Sequence, residues 1–326
     1  MDLLKEIEKV HFNLKAKNYE IAISKCNKLI KLYPNNSYLY NLCGIALQQF
    51  KQIKHSVKYF QKSIDLEPKN LPAKNNLANS LKILGNLDIA EKLYNEILKQ
   101  EPKYLKCLNN YANLKQQLTD YEGAIKLYNK ALEIEPNNIQ VLMSLATAYQ
   151  SNGEFENTLL TSDKILNLDK SVMSAHKLKS GIINYKNNKK HLNEMLEIAK
   201  NSNLSDSQKI DLFFAVGKAL EDIADYDKSF HFYEQANKIK NNSINFNISS
   251  EIDKFENIKE IFKDIDFKNF VKERNDTKII FICGMPRSGT TLIEKIISSH
   301  SNVSTISESN FIPEKVHKYL KEDSEA

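Results

Sequence analysis

Through most of this chain apolar residues recur at helical spacing, in stretches that come in pairs parted by short polar breaks. Proline sets the beat: Pro34, Pro68, Pro102 and Pro136 stand 34 residues apart. Endings such as Asp-Leu-Glu-Pro and Glu-Ile-Glu-Pro read as helix stops, because proline donates no backbone hydrogen bond and clashes with the preceding turn. Ten residues beyond each proline sits a small residue: Gly44, Ala78, Ala112 and Ala146. Ala90 and Ala124 follow on the second helix, with Ser56 and Thr158 as weaker members of that series. Phe60, Tyr94 and Tyr128 come next, placed to plug the space between neighbouring helix pairs. The pattern predicts helical hairpins over 3–36, 37–70, 71–104, 105–138 and 139–172. A degenerate unit is expected over 173–209, with a small insertion near Asn187-Asn188-Lys189. A clear unit returns over 210–243, with Gly217, Leu220, Ser229, Tyr233 and Ala236 back in register.

Fixed-period small and aromatic positions of this kind resemble the tetratricopeptide repeat (TPR), in which each repeat is two antiparallel helices. The resemblance covers roughly three quarters of the chain and implies a mostly α fold, a solenoid over 1–243. No single repeat can bury its apolar face, so stacking supplies the core and the array curls around a concave groove. Asn75, Asn76 and Asn79 fall on one groove-lining helix, and Asn109, Asn110 and Asn113 hold the same positions one repeat later. Residues spaced i, i+3 and i+4 share a helix face. Such a ladder of amides suits an extended protein or peptide backbone, read without regard to its side chains; it resembles the asparagine-lined superhelices of protein-modifying enzymes. The other reading is a merely solvated face. The whole chain is rich in Asn and Lys, and Gln48, Gln116 and Gln150 lie on the same helices.

Beyond residue 243 the repeat fades. Ile252, Phe255, Ile258, Ile261, Phe262 and Ile265 predict an amphipathic helix over 249–265, within a connecting segment 244–276 that packs the last repeat against the downstream part of the chain. Asn275-Asp276 marks a turn. Ile279 to Cys283 is then a continuous apolar run of strand length, expected to be buried, and Leu292, Ile293, Ile296 and Ile297 open a helical stripe. Between them lies Gly284-Met285-Pro286-Arg287-Ser288-Gly289-Thr290-Thr291. A strand, a glycine-bounded loop and a helix start aim backbone N–H groups and a helix N-terminus at one spot, which suits an anion. The glycines have P-loop spacing. The lysine of nucleoside triphosphatases is missing, with Thr290 in its place, which disfavours an ATPase or kinase. Positive charge comes instead from Arg287, whose planar guanidinium suits forked contact with phosphate or sulfate.

Pro286-Arg-Ser-Gly-Thr-Thr291, the helix to Ser299-His300, and Glu308 within Ser307-Glu-Ser-Asn-Phe-Ile-Pro313 resemble the start of a sulfotransferase domain. The likeness is to the protein-tyrosine sulfotransferases and to bacterial TPR–sulfotransferase fusions. It implies an α/β, P-loop-like domain over 277–326 and 3′-phosphoadenosine 5′-phosphosulfate (PAPS) as co-substrate, with no metal. The loop from Gly284 to Thr291 would hold the phosphosulfate, Arg287 would stabilise charge, and Glu308 would be the catalytic base toward a hydroxyl acceptor, with a protein or peptide and tyrosine-type transfer among the options. Without the resemblance Glu308 reads as a solvated loop acid, and His300, near a helix end, reads better as a cap. Only 42 residues lie beyond Gly284, whereas a complete α/β domain takes ~100–150, and the family's 3′-phosphate-binding Ser and Arg have no counterpart. The expectation is an incomplete domain that binds PAPS weakly and turns over poorly. A non-catalytic TPR scaffold with a remnant domain is the alternative.

Composition narrows this little further. The 326 residues carry net charge +5 with 46 Lys+Arg against 41 Asp+Glu, spread rather than clustered, so nucleic acid is not an expected partner. Only 8 Gly and 7 Pro suit long helices. Cys26, Cys43, Cys107 and Cys283 form no C-x-x-C pair, and free, packed thiols in a reducing compartment are expected. The N-terminus lacks a signal-peptide apolar core, and no run approaches the ~18 apolar residues of a membrane helix. A cytoplasmic location is the expectation.

Overall fold

The computed structural model describes residues 2–187, 189–200, 203–244, 247–263, 278–284 and 288–305. The chain divides into two compact units, 1–246 and 247–326.

The first unit is a helical solenoid. Its regular hairpins are α1 (Leu3–Lys15) with α2 (Tyr19–Leu32), α3 (Ser37–Gln49) with α4 (Ile53–Leu66), and α5 (Leu71–Ile83) with α6 (Leu87–Gln100). They continue with α7 (Leu105–Gln117) and α8 (Tyr121–Ile134), then α9 (Ile139–Ser151) and α10 (Phe155–Leu168). A shorter pair, α11 (Met173–Ile182) and α12 (Lys190–Ala199), precedes the long final pair α13 (Asp206–Asp222) and α14 (Tyr226–Ser243).

Local chemistry starts these helices. Asn36, Asn70 and Asn138 hold the same register, and each side-chain carbonyl accepts the backbone N–H three residues on, at 3.2, 3.0 and 3.1 Å. That satisfies one of the four donors a helix start leaves open. Ser205 and Gln208 form a reciprocal capping box on α13. Within each of the first five hairpins the chain reverses through one left-handed residue: Lys17, Lys51, Gly85, Thr119 and Gly153, with φ of 60°, 66°, 81°, 59° and 80°. They stand 34 residues apart, so the turn belongs to the repeat and only some repeats have placed glycine in it. In the sixth unit Asn187 holds that register, and the connection is a short 3-10 turn, Tyr185–Asn187.

Small-against-aromatic contacts close the hairpins. A Cβ added at Gly44 would lie 2.5 Å from the Phe60 ring, and one at Gly217 would lie 2.7 Å from Tyr233. Phe60, Tyr94 and Tyr128 are fully buried, and burying such a ring stabilises by roughly 1.5–3 kcal/mol. Each cluster of the core draws on consecutive hairpins: Ala22, Cys26, Leu39 and Cys43 form one, and Leu142, Ile165 and Ala175 another. The core is therefore a row of nearest-neighbour interfaces, as stacked repeats require.

The second unit holds α15 (Ile248–Lys263) and α16 (Thr290–Ser298). The helix expected over 249–265 is present as α15, yet Ile252 and Phe255 on its apolar stripe are exposed. The buried strand expected at 279–283 is not found. Residues 278–284 form no strand, and Ile279, Ile280 and Phe281 are 70, 61 and 68% exposed. A parallel strand draws its hydrogen bonds and cover from neighbouring strands and helices, and among the described residues none lies beside it. The expectation for cysteines changes in the same way: Cys26, Cys43 and Cys107 are buried free thiols, whereas Cys283 is exposed.

Candidate functional site: an anion-binding loop at a helix N-terminus

Gly284, Ser288, Gly289, Thr290 and Thr291 lie within the described residues; Met285, Pro286, Arg287 and Glu308 lie outside them. The two described flanks approach each other closely. A Cβ at Gly284 would meet Ser288 Oγ at 2.6 Å and Thr290 Cγ2 at 2.9 Å, so glycine lets those two side chains lie against the backbone at 284. Gly289 then turns through φ 92°, the left-handed region, directly before α16. The first backbone bond of that helix runs from Ile293 N–H to the Gly289 carbonyl at 3.1 Å. The amides of Thr290, Thr291 and Leu292 thus belong to the first turn, where no intrahelical acceptor exists. Ser288, Gly289 and Thr291 are exposed and Thr290 is half-buried. Open N–H groups, the positive end of α16 and the hydroxyls of Ser288, Thr290 and Thr291 fit a phosphate or sulfate group. At the far end of α16, His300 Nδ1 accepts from Asn302 N–H at 3.1 Å, a local turn contact.

In the solenoid the groove asparagines bond to one another. Asn76 Nδ2 donates to Asn41 Oδ1 at 2.9 Å, and Asn110 Nδ2 donates to Asn75 Oδ1 at 3.2 Å, each pair joining adjacent repeats. Asn75 is only 3% exposed. Asn113 Oδ1 and Gln116 Oε1 share the proton of Tyr128 O–H, at 2.6 and 2.7 Å. Asn79 is half-buried, and the Asn109 side-chain carbonyl is buried without a hydrogen-bond partner. The reason lies one repeat on: Ser144 stands in register with Asn76 and Asn110 and carries no amide to donate. Asn75, Asn76 and Asn110 therefore knit adjacent repeats together, and Asn113 braces its own hairpin.

Sequence reasoning overlooked a buried cluster in the sixth unit. His176 Nε2 lies 3.1 Å from the Lys170 carbonyl, His176 Nδ1 lies 2.8 Å from His191 Nε2, and His191 Nδ1 lies 2.6 Å from Tyr185 Oη. Burial holds both imidazoles below the usual histidine range, His191 at about 4, and pushes the Tyr185 phenol up to about 12. Its residues share no spacing with the other repeats, so no periodic signal marked them.

Comparison with known proteins agrees with this geometry. Tetratricopeptide-repeat models match residues 37–70, 71–104 and 112–153. The solenoid is a tetratricopeptide-repeat array. Residues 280–326 match the model of the Sulfotransferase family, so Gly284, Ser288 to Thr291 and α16 fall inside that match. A TPR protein from Parabacteroides merdae superposes with a TM-score of 0.53 at 15% identity, covering 72% of this chain and 92% of that one. The C-terminal part of a TPR repeat-containing protein from Cytophaga hutchinsonii gives 0.54 at 16% identity, covering 71 and 94%. PilF of Pseudomonas aeruginosa gives 0.51 at 17%, covering 63 and 91%. At these identities the TPR fold is what is shared. An uncharacterized protein of Aquifex aeolicus (strain VF5) is 35% identical over 105 residues, which is 32% of this chain but 14% of that protein. Among the described residues no helix is long and apolar enough to cross a membrane.

Proposed function

We propose that this protein is a PAPS-dependent sulfotransferase whose acceptor is a hydroxyl of a protein or peptide presented by the TPR array. The observation that carries the reading is the close approach of Gly284 to Ser288 and Thr290 at the N-terminus of α16, inside the segment that matches the Sulfotransferase family. Bound PAPS would supply an activated sulfuryl group and a phosphate leaving group. The first-turn amides of α16, with the Ser288, Thr290 and Thr291 hydroxyls, would hold the anion through donors already aimed at it. Arg287 would add a forked positive contact where charge builds on the leaving phosphate oxygen. Glu308 would take the acceptor proton as the acceptor oxygen bonds to sulfur, a role that general bases fill with ~10²–10⁴-fold effect. The roles of Arg287 and Glu308 rest on the family resemblance.

The test is transfer of labelled sulfate from PAPS to hydroxyl acceptors by the intact protein, with calorimetry of PAPS binding alongside. Arg287→Ala is expected to weaken binding. Glu308→Gln is expected to bind PAPS as before while turnover falls by ~10²–10⁴-fold. Undiminished turnover in that variant would remove Glu308 from the mechanism. Absence of both binding and transfer in the intact protein would leave a TPR scaffold as the function.

A further inference from the structure

The polar chain in the sixth unit can be assigned donor by donor. The Lys170 carbonyl only accepts, so His176 carries its proton on Nε2. Neutral His176 must then accept at Nδ1, which places the His191 proton on Nε2 and leaves His191 Nδ1 to accept from the Tyr185 hydroxyl. Every polar atom along the line is satisfied once, in one direction, with no charge. His176 and His191 are 3 and 4% exposed, Tyr185 is fully buried, and the imidazoles lie edge to edge in nearly parallel planes, their centroids 5.1 Å apart.

This line does in the sixth unit what an aromatic plug does elsewhere. It ties α12, and the 3-10 turn that leads into it, to α11. Added protons disturb it in two stages. One proton on His176 can be housed only by reversing the line, so that Tyr185 accepts rather than donates, with a charge now buried. Two protons leave donors facing each other at 2.8 Å between His176 and His191.

The charged neighbours do not offset this. Lys179 on α11 faces both rings and opposes their charging, although it is paired with Asp163 of α10. Asp163 and Glu194 of α12 act in the other direction. On α13, Asp222 accepts from Tyr185 N–H at 3.1 Å and is itself paired with Lys218 at 2.6 Å; Lys218 also lies over the Tyr185 ring. The nearby carboxylates are thus largely committed.

We propose that the His176–His191–Tyr185 line is an acid-labile latch: it holds the sixth TPR closed while both imidazoles are neutral and opens it when they take up protons. The solenoid is thereby built to part at one repeat while the second to fifth stay closed, interrupting the groove at a defined place. The sign follows from linkage. The histidines bind protons more weakly folded than open, so closure is complete above the ordinary histidine range near 6.5. It weakens as pH falls toward about 4.

Hydrogen exchange of the full 326-residue chain at pH 7.5 and 5.0, corrected for the intrinsic pH dependence of amide exchange, tests this. Amides in 183–200 are expected to speed up roughly tenfold or more relative to those in 37–168, one unit of unmet pKa difference being tenfold. The double variant His176→Gln with His191→Gln should lose that pH dependence. Should that variant fold poorly, ring ¹⁵N spectra of the unaltered chain decide the matter: both histidines as Nε2–H tautomers, titrating well below 6.5 and together with the opening of 183–200. Ordinary titration near 6.5, or equal protection of 183–200 and 37–168 at both pH values, overturns the latch.

Discussion

The second and sixth repeats solve the same problem in opposite ways. In the second, Gly44 clears space for Phe60, and a fully buried ring fills the gap between two helices. In the sixth, two imidazoles and a phenol, each satisfied by the next, join Leu192 and Met195 in the buried interior. Apolar closure depends on shape and is indifferent to pH. Polar closure depends on a proton pattern and fails with it, because a buried group that loses its partner costs ~1–3 kcal/mol. The array thus carries its weak joint at the unit whose helices are shortest and whose connection is a 3-10 turn.

The largest expected effect is at the apolar plug. Phe60→Ala should cost ~3–5 kcal/mol in the second repeat, from lost transfer energy and the cavity left behind. Ser162 occupies the same register in the fifth repeat with a buried, unpartnered hydroxyl. Ser162→Ala should be neutral or stabilise by up to ~1 kcal/mol, since it removes an unpaired polar atom. Urea melts followed by hydrogen exchange read out both, and equal losses at the two sites would refute a shared plug position.

A finer contrast lies between two tyrosines. Tyr128 O–H is held by Asn113 and Gln116, while Tyr94 O–H is buried without a partner. Register accounts for one of the two acceptors: where the fourth repeat has Gln116, the third has Lys82, whose cation burial disfavours and whose ammonium offers no acceptor, while Asn79, in register with Asn113, makes no bond to Tyr94. Tyr128→Phe is therefore expected to destabilise by ~1–2 kcal/mol and Tyr94→Phe to be neutral or stabilising. Same-sign losses of similar size would sink the distinction.

The smallest effect concerns the left-handed turns of the first five hairpins. Thr119 is β-branched and sits at φ 59° where two other repeats use glycine. Thr119→Gly should stabilise the fourth repeat by ~1 kcal/mol, as relief of left-handed strain exceeds the added chain entropy. A lower melting temperature in that variant would show the strain to be relieved elsewhere.

Much of the fold was legible in the chain. Pro68, Gly44 and Phe60 announce a hairpin because helix stops, close approach and plugging act over a few residues at fixed spacing. Gly289 was legible for a similar reason: a left-handed turn before a helix favours a missing side chain locally. The apolar run 279–283 misled, since strand propensity describes a half-buried surface that other strands must supply.

What the sequence determined by itself was the 34-residue repeat, its turns and the glycine loop, all set by backbone geometry within one or two turns of helix. Only the tertiary structure decided that Asn76 donates to Asn41 and that His191 lies between His176 and Tyr185. Those choices come from satisfying buried donors and acceptors, and their partners belong to other helices, where spacing along the chain says nothing about who faces whom.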